Sequence, residues 1–171
     1  IADGPRAMLS TVHLKTLDSG GLNPAVTWTG SEFIAAWDDW QLPMTTEIFM
    51  ARVDMAGELV GGDVFQVTDH SATGGQGLFP RVQWTGSEIG LLYTSGNPLP
   101  PAATTSEMVL LRLDPEGTAI AGGTRVNDVD TIVTTNALSW TGSEYAIVWD
   151  AGRAGPCPDI SACEREVFFT R

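Results

Sequence analysis

The sequence predicts an all-β fold, a β-propeller built from four-stranded antiparallel blades. Three observations predict it. One pentapeptide recurs at a fixed period, the segments between its copies have strand length and composition, and turn residues separate those segments. Trp-Thr-Gly-Ser-Glu stands at Trp28–Glu32, Trp84–Glu88 and Trp140–Glu144, with a spacing of 56 residues both times. Serial units of about 50 residues, each holding four short strands, are the signature of propeller blades.

Each unit reads as strands A to D. Strand A is Pro24-Ala-Val-Thr, Pro80-Arg-Val-Gln or Asn136-Ala-Leu-Ser, each running into its Trp. Thr-Gly-Ser then makes a tight turn, with Gly supplying the backbone freedom. Strand B is Phe33–Trp37, Ile89–Tyr93 and Tyr145–Trp149. Strand C is Glu47–Arg52, Glu107–Arg112 and Glu166–Arg171. Asp54-Met-Ala-Gly57 and Asp114-Pro-Glu-Gly117 turn C into D, with Asp opening and Gly closing the turn. Strand D is Val64–Asp69 and Thr124–Asp128. The segments are rich in Val, Ile, Phe, Trp and Thr and show no helical period. The blades predicted on this phase are about 22–69, 78–128 and 135–171, within a single domain spanning 1–171.

Residues repeated in every blade read as packing and structural polar groups. These are Trp28, Trp84 and Trp140; Trp37, Tyr93 and Trp149; Glu32, Glu88 and Glu144; and Arg52, Arg112 and Arg171. A catalyst is rarely needed three times in one chain.

Composition narrows the partners. Hydrophobic residues at 43% against charged residues at 18% describe a globular chain rather than a disordered one. A net charge of −12, with 9 basic against 21 acidic residues, argues against nucleic acid and against anionic membrane surfaces. No apolar run approaches the ~18 residues of a membrane span.

The phase of the repeat predicts how the ring closes. The third unit ends on strand C at Arg171, while Thr11–Asp18 matches strand D and precedes the first strand A. The N-terminal strand is thus expected to complete a third-blade sheet and cover its edge. Three blades are fewer than a closed ring needs. A head-to-tail homodimer of six blades, exchanging residues 11–18, is the expected assembly, and a fragment of a longer propeller is the rival.

The A–B and C–D turns are nearly invariant, whereas 9, 13 and 16 residues separate the strand B aromatic from the strand C Glu. Variation therefore collects at the B–C and D–A end, where function is expected. The candidate ligand-binding residues there are Asp38, Asp39, Trp40, Asp150 and Arg153. Trp40 is a tryptophan outside the repeat pattern and could stack on a sugar or clamp a peptide. The carboxylates could serve glycoside chemistry as a pair, or simply cap turns. Cys157 and Cys163 share a polar, Pro-containing loop, which favours a local disulfide and an oxidising compartment. His13 and His70 do not cluster with them, so no metal site and no cofactor are expected. Nucleophile-elbow, phosphate-loop and His-Glu-x-x-His patterns are absent.

The run Trp140–Arg153, together with Glu47–Gly57, resembles repeats of secreted or cell-surface proteins of myxobacteria and related bacteria. The resemblance covers essentially the whole chain. It implies an exported propeller, often one module of a larger surface protein, and it brings no catalytic residues with it. The function expected is non-catalytic binding or scaffolding, with a glycan or a protein recognised on the loop end. A glycan hydrolase or lyase using loop carboxylates, and a purely structural fragment, are the alternatives.

Overall fold

The structure, a computed structural model, describes residue 14 and residues 20–41, 45–72, 75–96, 105–128, 131–153 and 165–171. The strand predicted at 11–18 lies outside these apart from Leu14, as do Cys157 and Cys163.

The chain is all-β. The first sheet holds β1 (Gly21–Trp28), β2 (Glu32–Gln41), β3 (Thr45–Asp54) and β4 (Leu59–Gln66) in that order. The second holds β5 (Gly77–Trp84), β6 (Ile89–Gly96), β7 (Ser106–Leu113) and β8 (Thr124–Arg125). The third pairs β9 (Thr131–Trp140), β10 (Tyr145–Arg153) and β11 (Arg165–Thr170) in the order β11-β10-β9. Every neighbouring pair is antiparallel, so each sheet is a meander. The first strands adjoin, β1 against β5 and β5 against β9, and the sheets pack face to face. The arrangement is propeller-like.

The repeated pentapeptide makes the β1–β2, β5–β6 and β9–β10 turns. Thr29 Oγ1 accepts the Glu32 amide at 3.1 Å and donates to the Glu32 carbonyl at 3.0 Å. Thr85 and Thr141 repeat both bonds to Glu88 and Glu144. The next residue sits at φ 105°, 105° and 104° at Gly30, Gly86 and Gly142, a region closed to most side chains. At the same end of each sheet the repeated Glu meets the repeated Arg: Glu32 with Arg52 at 2.7 Å, Glu88 with Arg112 at 2.6 Å, and Glu144 with Arg171 at 3.5 Å.

Two apolar cores fill the seams between sheets. Ile34, Ala36, Ile48 and Met50 pack against Val82, Ile89, Leu91 and Leu113 across the first seam. Leu92 and Met108 pack against Val133, Ile147, Trp149 and Ala151 across the second. Alternate residues of β6 thus serve opposite seams, which is why Ile89–Leu92 is buried without a break. Each such side chain contributes about 1.5–3 kcal/mol by its burial. The second seam adds an interlock. Tyr145 lies over Gly90, where a Cβ would collide with the phenol ring, and its hydroxyl donates to Glu88 at 3.3 Å.

Among the described residues, the two outer faces of the stack lack this cover. Val26 is 65% exposed, whereas its repeat equivalent Val82 is 7% exposed in the first seam. Leu22 and Phe33 are likewise exposed where Leu78 and Ile89 are buried. On the other outer face Val167 is 77% exposed, while its counterparts Ile48 and Met108 are fully buried. Phe169 and Val148 are exposed on that face too.

Candidate functional site

The acids expected in loops are strand residues in the structure. Strand β2 continues past Trp37 because pairing with β3 does not stop there: Asp38 faces Ile48, Asp39 faces Glu47 and Trp40 faces Thr46. Asp38 and Asp39 are each 1% exposed, and Trp40 is 54% exposed. Side chains alternate along a strand, so Asp38 and Asp39 leave it on opposite faces and do not form a carboxylate pair. Asp150 lies within β10, and Arg153 is its last residue. A backbone still engaged in a ladder holds these groups where a free loop would not.

Asp38 bridges the first two sheets. Its Oδ2 accepts Asn23 Nδ2 at 2.8 Å and the Phe79 amide at 2.9 Å. Asn23 and Phe79 are repeat equivalents, both at positive φ (49° and 55°) and both at register shifts in their strands. Arg81, which donates to the Asn136 carbonyl at 2.9 Å, carries the connection to the third sheet. Burial draws its guanidinium down from the ordinary value, and the charge of Asp38 works against that.

Asp150 occupies the same repeat position as Asp38, but its bonds stay within the third sheet. It accepts the Thr135 amide at 2.7 Å, the Thr135 hydroxyl at 2.9 Å and Arg165 Nε at 2.6 Å. Burial pushes its carboxyl up, but the Thr135 bonds and Arg165 outweigh this and hold it below the usual value. The third equivalent, Thr94, is buried, with no partner for its hydroxyl among the described residues. The repeat position is thus a structural tie in the first and third sheets, between sheets at Asp38 and within one sheet at Asp150. Among the described residues, no group of three His, Cys, Asp or Glu is placed to hold a metal ion.

A cluster the sequence did not single out lies between the first two sheets. Glu47, 2% exposed, accepts Thr68 Oγ1 at 2.7 Å and the His70 amide at 2.8 Å. The same carboxylate lies 2.8 Å from His70 Nδ1. On the far side of the ring, His70 Nε2 is 3.3 Å from Ser95 Oγ. Tyr93, one pleat along β6 on the same face, meets the His70 ring edge-on at 6.4 Å. Part of this is a repeated staple: Thr68 Oγ1 accepts the Ile48 amide as Asn127 Oδ1 accepts the Met108 amide. The Glu–His–Ser line is not repeated. Glu107 and Glu166, the counterparts of Glu47, are exposed, and the linker after β8 carries no His. A histidine present in one linker and not the other was the available signal.

The two tyrosines of the chain provide a check on this packing. Burial, then the nearby Glu88, pushes the Tyr145 phenol up to about 12, and burial with the charges of Glu47 and Glu107 raises Tyr93. A raised pKa means that the folded state holds its proton more tightly. The associated stability is complete below the ordinary value near 10 and is lost as pH climbs through the folded value. In a spectrophotometric titration at pH 10, the native protein is expected to show far less phenolate than the guanidinium-unfolded chain. Equal signals would mean that the phenols are solvated.

No family model matches the chain, and no curated protein matches it. Among solved structures it is similar to a GH43 endo-arabinanase from Bacillus licheniformis, at 10% identity and a TM-score of 0.42. That alignment covers 87% of this chain and 73% of the other.

Proposed function

We propose that the chain is a binding or scaffold β-propeller, exported to a bacterial surface, that recognises a glycan or protein ligand at its B–C and D–A end. The observation that carries the reading is the contrast at the end of β2. Trp40 is 54% exposed, while the neighbouring acids Asp38 and Asp39 are 1% exposed. An exposed indole on a fixed strand offers a flat apolar face at little entropic cost, which suits stacking on a sugar ring or gripping a peptide. The alternative of glycan hydrolysis by paired carboxylates is disfavoured, because Asp38 and Asp150 are bonded into the scaffold. A glycan array and a peptide array test the reading. Trp40→Ala is expected to weaken capture at least tenfold while leaving thermal stability within about 0.5 kcal/mol, as for other exposed positions. Unchanged capture by the variant would remove Trp40 from the site.

The same proposal includes three blades per chain, closed to a six-bladed ring by a second copy. The support is the mismatch in burial between repeat equivalents. The outer face with Leu22, Val26 and Phe33 has the composition of the second blade's buried face, and the face with Val148, Val167 and Phe169 has that of its mate. These are the two halves of one seam. Placing them together reproduces a contact the chain already makes twice, and a two-fold axis closes the ring.

A further inference from the structure

We propose that Ser95, His70 and Glu47 form a nucleophilic relay able to cleave small uncharged esters, an activity beyond the binding role and independent of Trp40. The roles follow from the geometry. Ser95 Oγ lies 3.3 Å from His70 Nε2, within reach of a base that removes its proton. Glu47 Oε2, 2.8 Å from His70 Nδ1, fixes the ring so that Nε2 faces the serine. Glu47 is itself held by Thr68 Oγ1 and by the His70 amide, so the orienting carboxylate is rigid. Gly77 leaves room for Thr68, since a Cβ there would come within 3.0 Å of Thr68 Oγ1 and 3.2 Å of Ile48 Cγ1.

Depth is graded along the line. Glu47 is 2% exposed, the His70 side chain is 14% exposed and Ser95 is half-buried. That grading places the nucleophile outward and the orienter inward. Two of the three residues would suffice to staple the linker after β4 onto β3. The third contact, His70 to Ser95, is what a staple does not require, and the second linker is stapled without it by Asn127 bonding to the Met108 amide and the Ser106 carbonyl.

The step balances with water as the co-reactant. Ser95 Oγ adds to the ester carbonyl as its proton passes to His70 Nε2. The carbonyl–alkoxy bond breaks, and the leaving alcohol takes that proton. Water, deprotonated by His70, then hydrolyses the acyl-serine to a carboxylic acid and restores Ser95. The substrate class follows from the surroundings. Glu47 and Glu107 both act on the Tyr93 phenol beside the ring, and the chain carries a charge of −12, so anionic esters are repelled and a neutral ester is the simplest substrate that avoids this.

The test uses the intact chain with a fluorophosphonate probe and p-nitrophenyl acetate. The wild type is expected to take up the probe at Ser95, mapped by peptide mass spectrometry, and to release p-nitrophenol in a burst. Ser95→Ala should abolish both while keeping the native melting curve. His70→Ala should label about a hundredfold more slowly, with added imidazole restoring part of the rate, a rescue that a merely structural histidine would not show. Glu47→Gln, at a positioning residue, should lower kcat and leave KM unchanged. A wild type that resists the probe, or a Ser95→Ala variant that still labels and turns over, overturns the proposal.

Discussion

Asp38→Ala is expected to destabilise the fold by about 2–4 kcal/mol, because it takes the shared acceptor away from two hydrogen-bond donors. The carboxylate is 1% exposed and holds Asn23 Nδ2 and the Phe79 amide on a single oxygen. Deleting it leaves two part-buried donors without their acceptor, at up to about 1–3 kcal/mol each. It also removes the charge that offsets the burial of Arg81. Phe79 adds to the effect, because an aromatic residue at φ 55° persists only where its surroundings hold it. Asp38→Asn should cost much less, since its remaining carbonyl oxygen can accept both donors. Urea denaturation of the two variants measures the difference. Equal, small losses would show that the Phe79 strand end is held by packing.

In sedimentation equilibrium the protein is expected at twice 18.2 kDa. Val26→Asp on one outer face, or Val167→Asp on the other, should each weaken association by about 2–4 kcal/mol, as for a central anchor of an interface. Both positions are exposed within the chain, so neither substitution should lower the stability of the separated protomer much. The same change at Val82, buried in the first seam, should instead unfold the chain. A monomer at all concentrations, or a dimer indifferent to both outer-face charges, would put a different occupant on these faces.

The repeat made the meander legible because each identity has a local cause. Thr29, Gly30 and Glu32 close one turn within four residues, and the same letters close it again at Thr85 and Thr141. The repeated Glu and Arg were legible as structural groups, and they pair in each sheet. Asp38 was harder to read. Its partners Asn23 and Phe79 are 15 and 41 residues away, and nothing adjacent to it says that β2 keeps pairing to Gln41. Glu47 looked like the start of strand C, the same as Glu107 and Glu166. Its burial comes from the His70 linker folding back over it, a contact 23 residues distant. Departures from the repeat were a better guide to the cluster than the repeat itself.

Tyr145 seated over Gly90 has a consequence for how such a chain can be rearranged. The repeat equivalent of Gly90 in the first sheet is Ile34, whose side chain is buried in the first core. Transplanting the third module next to the first would therefore drive a phenol into an isoleucine. Modules that look interchangeable along the gene are keyed to their neighbours. Shuffling their order, or copying one in place of another, is opposed by shape at the joint rather than by the turn sequences that all of them share.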